Sequence, residues 1–215
     1  VLSAASSPCP DLNLIHYTLG NKGAEPLTAQ VRVFRWTQDA NGGEVLEPTD
    51  AVIASPPMVK LEAGAQQQFR VMRVKPSDKQ TEEAYRLIVD ELPAPNAKPQ
   101  KGIQLVMRYS LPLFVNVQNN AEPKLQWRAE KAANGKTVLV AENTGNAHAQ
   151  LSNITFQTTS AKDALTLANG LAGYVLPGNT WKRELEVSPA SLNQGRLNAT
   201  VNGMPIQTEV RFAAP

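Results

Sequence analysis

The sequence predicts an all-β protein made of two β-sandwich domains. The chain of 215 residues contains 16 Pro and 13 Gly, and Val, Thr and Leu are frequent. This composition favours strands and turns over helices. Short apolar–polar alternations separated by Gly, Pro and Asn recur along the chain, whereas no helical periodicity extends over three turns. The length accommodates two domains of about 100 residues each.

The strands predicted for the first half of the chain are short and bounded by turn residues. Residues 27–38 alternate and end at a polar turn that contains Asn41-Gly42. Residues 45–74 form short strands, broken by Pro56-Pro57 and by a turn at Ala63-Gly64. Residues 84–93 form a further strand, with Tyr85, Leu87 and Val89 on one face and Arg86, Ile88 and Asp90 on the other.

The stretch GIQLVMRYSLPLFVNV, residues 102–117, is the most unusual of these strands. Apolar or aromatic side chains occupy every second position: Ile103, Leu105, Met107, Tyr109, Leu111, Leu113, Val115 and Val117. Pro112 has no backbone N–H, so an edge position or a bulge is predicted. Soluble proteins usually avoid a long apolar edge, because it pairs with other chains. A specific reason for this edge is therefore expected.

The polar segment QNNAEPK, residues 118–124, is the predicted domain boundary. It divides the chain into a first domain, residues 1–118, and a second domain, residues 119–215. Turns at Asn134-Gly135 and Asn202-Gly203 mark hairpins of the second domain. The strands between them have the spacing of a second β-sandwich.

Charge and cysteine content exclude several classes of protein. The net charge is +2 and the pI is near 8.7. This excess of positive charge is too small to imply nucleic acid or an anionic membrane as a partner. Cys9 is the single cysteine, so no intramolecular disulfide can form. No apolar run is long enough to span a membrane, and the first residues lack the features of an intact signal peptide. A mature secreted chain and a cytosolic chain both fit these observations.

No motif for catalysis or for metal binding is present, so we predict that the protein is not an enzyme and has no cofactor and no metal. His16 and His148 fall in different predicted domains, and surface or loop positions are the simplest interpretation of both. Asp90 and Glu91 are adjacent on a strand and point to opposite faces, so a structural role is favoured. Trp36, Trp127 and Trp181 are predicted to be core or strand-face residues.

Three explanations of the apolar edge remain at this point. A central strand covered on both faces would be apolar throughout, and the polar alternate residues argue against it. A homodimer could cover the edge by pairing two copies. Alternatively, the strand is lent to another chain.

Several segments together resemble the periplasmic chaperones of the chaperone–usher pathway, and most of all the archaic, Csu-like branch of fimbrial chaperones. These segments are QVRVFRWTQ, SPPMVKLEAGAQQQFRV, YRLIVDELP, QLVMRYSLPLF and GYVLPGNT. The resemblance extends in consistent order from about Leu27 to Trp181. It implies two immunoglobulin-like β-sandwich domains in an L-shaped arrangement.

The resemblance also implies a function for the apolar edge. In this family the last strand of the first domain, called G1, fills the groove of an incomplete pilin by β-strand addition. Ile103, Leu105, Met107 and Tyr109 would be the donor residues here. The implied partners are pilin subunits and an outer-membrane usher, in the periplasm and without ATP or metal. A homodimer that caps its own edge is a further alternative.

One feature departs from the family pattern. Conventional pilus chaperones grip the terminal carboxylate of the subunit with an Arg on the first strand and a Lys on G1. Pro112 stands where that Lys is expected, and the segment SPCPDLN offers no basic residue. Arg86 and Arg108 are the local candidates for a carboxylate anchor, because guanidinium binds carboxylate through two hydrogen bonds. The alternative for both is a surface or cross-strand contact with Asp90 or Glu91.

A second function remains possible on the sequence alone, namely a two-domain β-sandwich for adhesion or glycan binding. Such a protein would use residues at its loop tips, and its edge strand would be covered within its own fold. Charge placed at Leu105 or Met107 would then destabilise the fold instead of abolishing subunit binding.

Overall fold

The computed structural model describes residues 2–8, 14–75, 77, 80–92, 106–115, 121–132, 134–158, 164–185 and 194–212. These residues form sixteen β-strands and no helix. The strands before residue 116 are β1 (Leu2–Pro8), β2 (Leu14–Asn21), β3 (Leu27–Gln38), β4 (Glu44–Pro48), β5 (Val52–Ser55), β6 (Met58–Leu61), β7 (Gln66–Arg73), β8 (Glu83–Leu92) and β9 (Arg108–Val115). The later strands are β10 (Leu125–Lys131), β11 (Thr137–Asn143), β12 (Ala149–Thr158), β13 (Leu165–Val175), β14 (Thr180–Leu185), β15 (Gln194–Val201) and β16 (Met204–Phe212).

The chain divides into two compact units. Unit 1 comprises Val1–Trp36, Leu46–Lys79 and Glu83–Asn116, and unit 2 comprises Thr37–Val45, Gln80–Glu82 and Val117–Pro215. Two short segments from the first half of the sequence therefore have most of their contacts with unit 2. Residues 116–120, beside the predicted boundary at 118, lie outside the described residues.

Unit 1 is a sandwich of two sheets. One sheet has the strand order β1-β2-β7-β5, and the other has the order β4-β3-β8-β9 with β6 beside β3. Apolar side chains from both sheets form one buried cluster between them, which includes Phe69 from the first sheet and Tyr85 and Leu87 from the second. The predicted alternation in β8 is confirmed, since its inward-facing residues are almost completely buried.

Unit 2 is a single hydrogen-bonded path of seven strands in the order β13-β12-β15-β16-β10-β11-β14. The pairings are antiparallel, apart from the parallel contact between β10 and β16. Residues from both ends of this path, such as Val175 on β13 and Leu185 on β14, belong to one buried cluster. The sheet therefore curls around a common core, and the prediction of an all-β fold of immunoglobulin-like domains is confirmed.

The turns predicted from dipeptides occur where the sequence placed them. Four of them connect consecutive strands: Asn41-Gly42 lies between β3 and β4, Ala63-Gly64 between β6 and β7, Asn134-Gly135 between β10 and β11, and Asn202-Gly203 between β15 and β16. In the last turn both central residues have positive φ, 49° and 81°, which matches the twist of the flanking strands. Pro56-Pro57 separates β5 from β6, as predicted. In the described part of the chain, no helix could cross a membrane.

Candidate functional site

The strand β9 lies at the edge of its sheet. It pairs antiparallel with β8, from Glu83 opposite Val115 to Asp90 opposite Arg108, and ends the strand order. The backbone N–H of Glu91 donates to the carbonyl oxygen of Met107 over 2.9 Å, which extends the ladder by one residue. No strand of the described residues pairs with the other side of β9. The edge position predicted from Pro112 is confirmed.

The apolar face of β9 is divided between the protein's own core and the solvent. Leu113 is buried, and Tyr109, Leu111 and Val115 pack partly against the core of unit 1. Met107, by contrast, is 46% exposed. Ile103 and Leu105 lie outside the described residues. Of the four predicted donor residues, Met107 is thus the one described with an exposed side chain, whereas Tyr109 contacts the core.

A buried carboxylate lies beside the first residue of β9. Asp90 is 8% exposed, and its Oδ2 accepts a hydrogen bond from Nη2 of Arg32 over 2.6 Å. Its Oδ1 accepts from Nε of Arg108. Burial by itself would raise the pKa of Asp90, but the hydrogen bonds from Arg108 and Arg32 outweigh it and hold the pKa of this carboxyl below its usual value. Asp90 therefore binds one guanidinium group from the edge strand β9 and one from β3.

The second candidate anchor, Arg86, has a different environment. Its position on β8 is directly opposite Pro112 on β9. Its guanidinium carbon lies 3.7 Å from the centroid of the Trp36 ring, a cation–π contact. The Trp36 ring also contacts Phe114, with centroids 5.8 Å apart. Arg86 is thus placed directly opposite Pro112, and an aromatic pair supports it.

The contact of Arg108 with Asp90 is the one that the sequence suggested as the alternative to a carboxylate anchor. The sequence did not identify Arg32 as a second partner of Asp90. Arg32 lies on β3, and its contact with Asp90 depends on the pairing of β3 with β8. That pairing joins residues 58 positions apart. The alternation of β3 places Arg32 on a polar face but does not identify its partner.

The remaining polar residues singled out from the sequence have structural contacts. The Nδ1 atom of His148 lies 2.8 Å from both carboxylate oxygens of Glu82, and its backbone N–H donates to Oε2 of Glu82 over 2.7 Å.

Trp36 and Trp181 are buried, as predicted. Within the described ranges, no group of three or more His, Cys, Asp and Glu side chains could hold a metal ion. Cys9 lies outside these ranges.

The charge of Asp90 should stabilise unit 1 in a pH-dependent way. Since the pKa of Asp90 is lower in the folded state, its contribution is complete above the unfolded value of about 3.9 and is lost as the pH falls through the folded value. We expect Asp90→Asn to lower the free energy of unfolding by about 1–3 kcal/mol at pH 7. The difference from wild type should shrink below about pH 4, measured by urea unfolding across pH.

The control for this experiment is Asp50→Asn, at an exposed carboxylate that pairs with Lys75. It should leave the free energy of unfolding nearly unchanged at pH 7. If the difference in the free energy of unfolding between wild type and Asp90→Asn stays constant from pH 7 to pH 3, the role given to the charge of Asp90 is contradicted.

Comparison with known proteins agrees with the fold described above. Residues 13–119 match the family model of the pili and flagellar-assembly chaperones, PapD N-terminal domain. The whole chain is similar to a chain of the CsuC–CsuE chaperone–tip adhesion subunit pre-assembly complex, from the archaic chaperone–usher Csu pili of Acinetobacter baumannii. The TM-score is 0.71 at 26% identity, and 99% of this chain and 100% of that chain are covered. The chain belongs to the pilus-assembly chaperones of the archaic branch. The family is one of chaperones and not of enzymes.

More distant pilus chaperones share the fold. The Salmonella enterica complex of SafA pilin with the SafB chaperone matches with a TM-score of 0.62 at 16% identity, covering 97% of this chain and 96% of that chain. The CupB2 chaperone of Pseudomonas aeruginosa matches with a TM-score of 0.57 at 16% identity, covering 92% and 91%. No curated protein matches the chain.

Proposed function

We propose that this chaperone binds, folds and caps pilus subunits by lending them its edge strand, β9 with the residues before it. It then delivers them to an outer-membrane usher. We further propose that the mature chain acts in the periplasm, where chaperones of this pathway work. Pilin subunits are the expected partners, since the similar structures include a chaperone with a tip adhesion subunit and a chaperone with a pilin.

The observation that carries this proposal is the edge position of β9, on whose outer side no strand of the described residues pairs, next to an exposed Met107. An extended segment can add to such an edge through backbone hydrogen bonds, and alternate side chains of the donor strand then fill pockets of the partner. Met107 is 46% exposed, so it can enter a partner without loss of the chaperone's own core. Burial of a methionine side chain contributes about 1.5–3 kcal/mol before association costs.

We propose Arg86 as the anchor for the terminal carboxylate of the subunit. Its register opposite Pro112 supports this assignment, because the resemblance implies that position 112 is the one where conventional pilus chaperones carry the lysine. The Trp36 ring packs against the face of the guanidinium and orients it beside β9. Arg108 lies four residues before Pro112, and Asp90 already engages its Nε.

The test is co-purification from the periplasm with a pilin from the same operon. Met107→Glu should retain at least tenfold less pilin than the wild-type chaperone, because a charged side chain cannot enter an apolar pocket without a large desolvation cost. The matched control is Met204→Glu, at a methionine of unit 2 that is 71% exposed. It should retain pilin like wild type.

Both variants should unfold at the urea concentration of wild type, since both side chains are exposed. Equal pilin retention by wild type and Met107→Glu would contradict strand donation. Unfolding of Met107→Glu would favour an internal strand and the adhesion alternative. Size-exclusion chromatography without pilin tests the self-capping homodimer, which Met107→Glu should then dissociate.

A further inference from the structure

We infer that the β9 edge also selects subunits by charge: Arg108, held by Asp90, favours a pilin strand with an acidic side chain opposite it. This inference rests on the proposed strand addition and assigns Arg108 a role separate from the terminal anchor. The occupant is a side-chain carboxylate of the added strand.

The charges of Asp90, Arg32 and Arg108 do not cancel. Asp90 is one carboxylate, and both of its oxygens are engaged, Oδ2 by Arg32 and Oδ1 by Arg108. Two guanidinium groups therefore share a single negative charge, which leaves one excess positive charge among these three side chains. Arg32 also lies 5.4 Å from the ring centroid of Phe34, so it is fixed from a second side.

Arg108 is held in a way that leaves its outer part accessible. Its side chain is 66% exposed, whereas that of Asp90 is 12% exposed. Its contact with Asp90 is made through Nε, and the two terminal nitrogens form the opposite edge of the planar group. A guanidinium presents paired N–H donors that match the two oxygens of a carboxylate. Because Asp90 already restricts the rotamers of Arg108, this side chain loses less conformational entropy when it binds a carboxylate.

The place of Arg108 on an edge strand determines what can reach it. A strand added to the outer side of β9 brings one of its side chains next to that of Arg108, on the same face of the sheet. Opposite charges at such neighbouring positions are favourable, and like charges are unfavourable. An added strand with Asp or Glu at this position should therefore bind more tightly than one with Lys.

A terminal carboxylate is a poorer candidate for Arg108. Arg108 lies four residues from Pro112, which corresponds to about 13 Å along an extended strand. The end of one subunit chain cannot occupy both positions. With Arg86 opposite Pro112 as the terminal anchor, the carboxylate that reaches Arg108 belongs to a side chain within the strand.

The experiment uses the full-length chaperone and a pilin that it retains. Residues in the final strand of the pilin are replaced one at a time by Glu, Gln or Lys, and dissociation of each complex is measured by surface plasmon resonance. We expect one position where wild type holds the Glu pilin about tenfold longer than the Lys pilin, which corresponds to about 1.4 kcal/mol. Arg108→Gln should remove this preference, and Arg108→Glu should reverse it.

A second pair of variants separates this inference from the terminal anchor. A pilin extended by one glycine at its C-terminus moves the terminal carboxylate. The extended pilin should dissociate faster than the unextended pilin from wild type and from Arg108→Gln. From Arg86→Gln, the two pilins should dissociate at the same rate. At each position, the dissociation rate of the Glu pilin can be divided by that of the Lys pilin. If this ratio is the same for wild type and for Arg108→Gln at every position, the charge selection is overturned, while strand addition stands. Dissociation of the unsubstituted pilin from Met107→Glu at the same rate as from wild type would overturn strand addition, and the charge selection with it.

Discussion

Replacing Glu83 with alanine is expected to lower the free energy of unfolding of unit 1 by about 3–5 kcal/mol. Glu83 is the first residue of β8, and its carboxylate forms an ion pair with Arg73 on the facing sheet. Both side chains are nearly buried, with 7% and 9% exposure. Arg35 lies farther away, with its Nη1 3.9 Å from Oε1 of Glu83. Removal of Glu83 leaves the Arg73 guanidinium buried without this carboxylate, and that desolvation is the source of the large effect.

Urea unfolding followed by hydrogen exchange of β7 and β8 measures this loss. The control is Glu62→Ala, which removes the carboxylate of an exposed pair with Lys60 and should cost less than about 1 kcal/mol. A double variant, Arg73→Met with Glu83→Leu, removes both charges and should be more stable than Glu83→Ala. Equal losses for Glu83→Ala and Glu62→Ala would refute the assignment of a buried ion pair.

The second large effect is expected in unit 2, for Asn143→Ala. Asn143 is fully buried, and its amide nitrogen donates to the carbonyl oxygens of Ala147 and Val175 over 2.7 and 3.0 Å. Its side-chain oxygen accepts from the backbone N–H groups of Lys124 and Gly145 over 3.1 and 3.0 Å. Alanine would leave four backbone groups without these partners. At about 1–3 kcal/mol for each group that stays unsatisfied, we expect a loss of about 4 kcal/mol or more.

The matched control is Asn134→Ala, at an exposed asparagine in the turn between β10 and β11. Its side chain bonds Glu184 and the backbone N–H of Lys136, both in contact with solvent. Water can replace these bonds, so the loss should stay near or below about 1 kcal/mol. Hydrogen exchange should show faster opening of β10 and β11 in Asn143→Ala. Protection like that of wild type would argue that other contacts hold these segments together.

Much of the fold could be predicted from local sequence patterns. The alternation of Tyr85, Leu87 and Val89 identified the buried face of β8, because side chains on a strand alternate strictly. Asn202-Gly203 marked the last hairpin, because this turn needs positive φ at both residues. Pro112 predicted the edge position of β9, because proline cannot donate to a second ladder.

Only the tertiary structure decided how these strands are used. The sequence placed Tyr109 and Met107 on one face, but the sheet packing puts Tyr109 against the core and leaves Met107 exposed. The sequence treated Arg86 and Arg108 alike, whereas strand register brings Arg86 onto Trp36 and joins Arg108 to Asp90. Arg32 and Asp90 meet only because β3 pairs with β8. A period of two determines which side chains share a face, but pairing between distant segments determines the neighbours of that face.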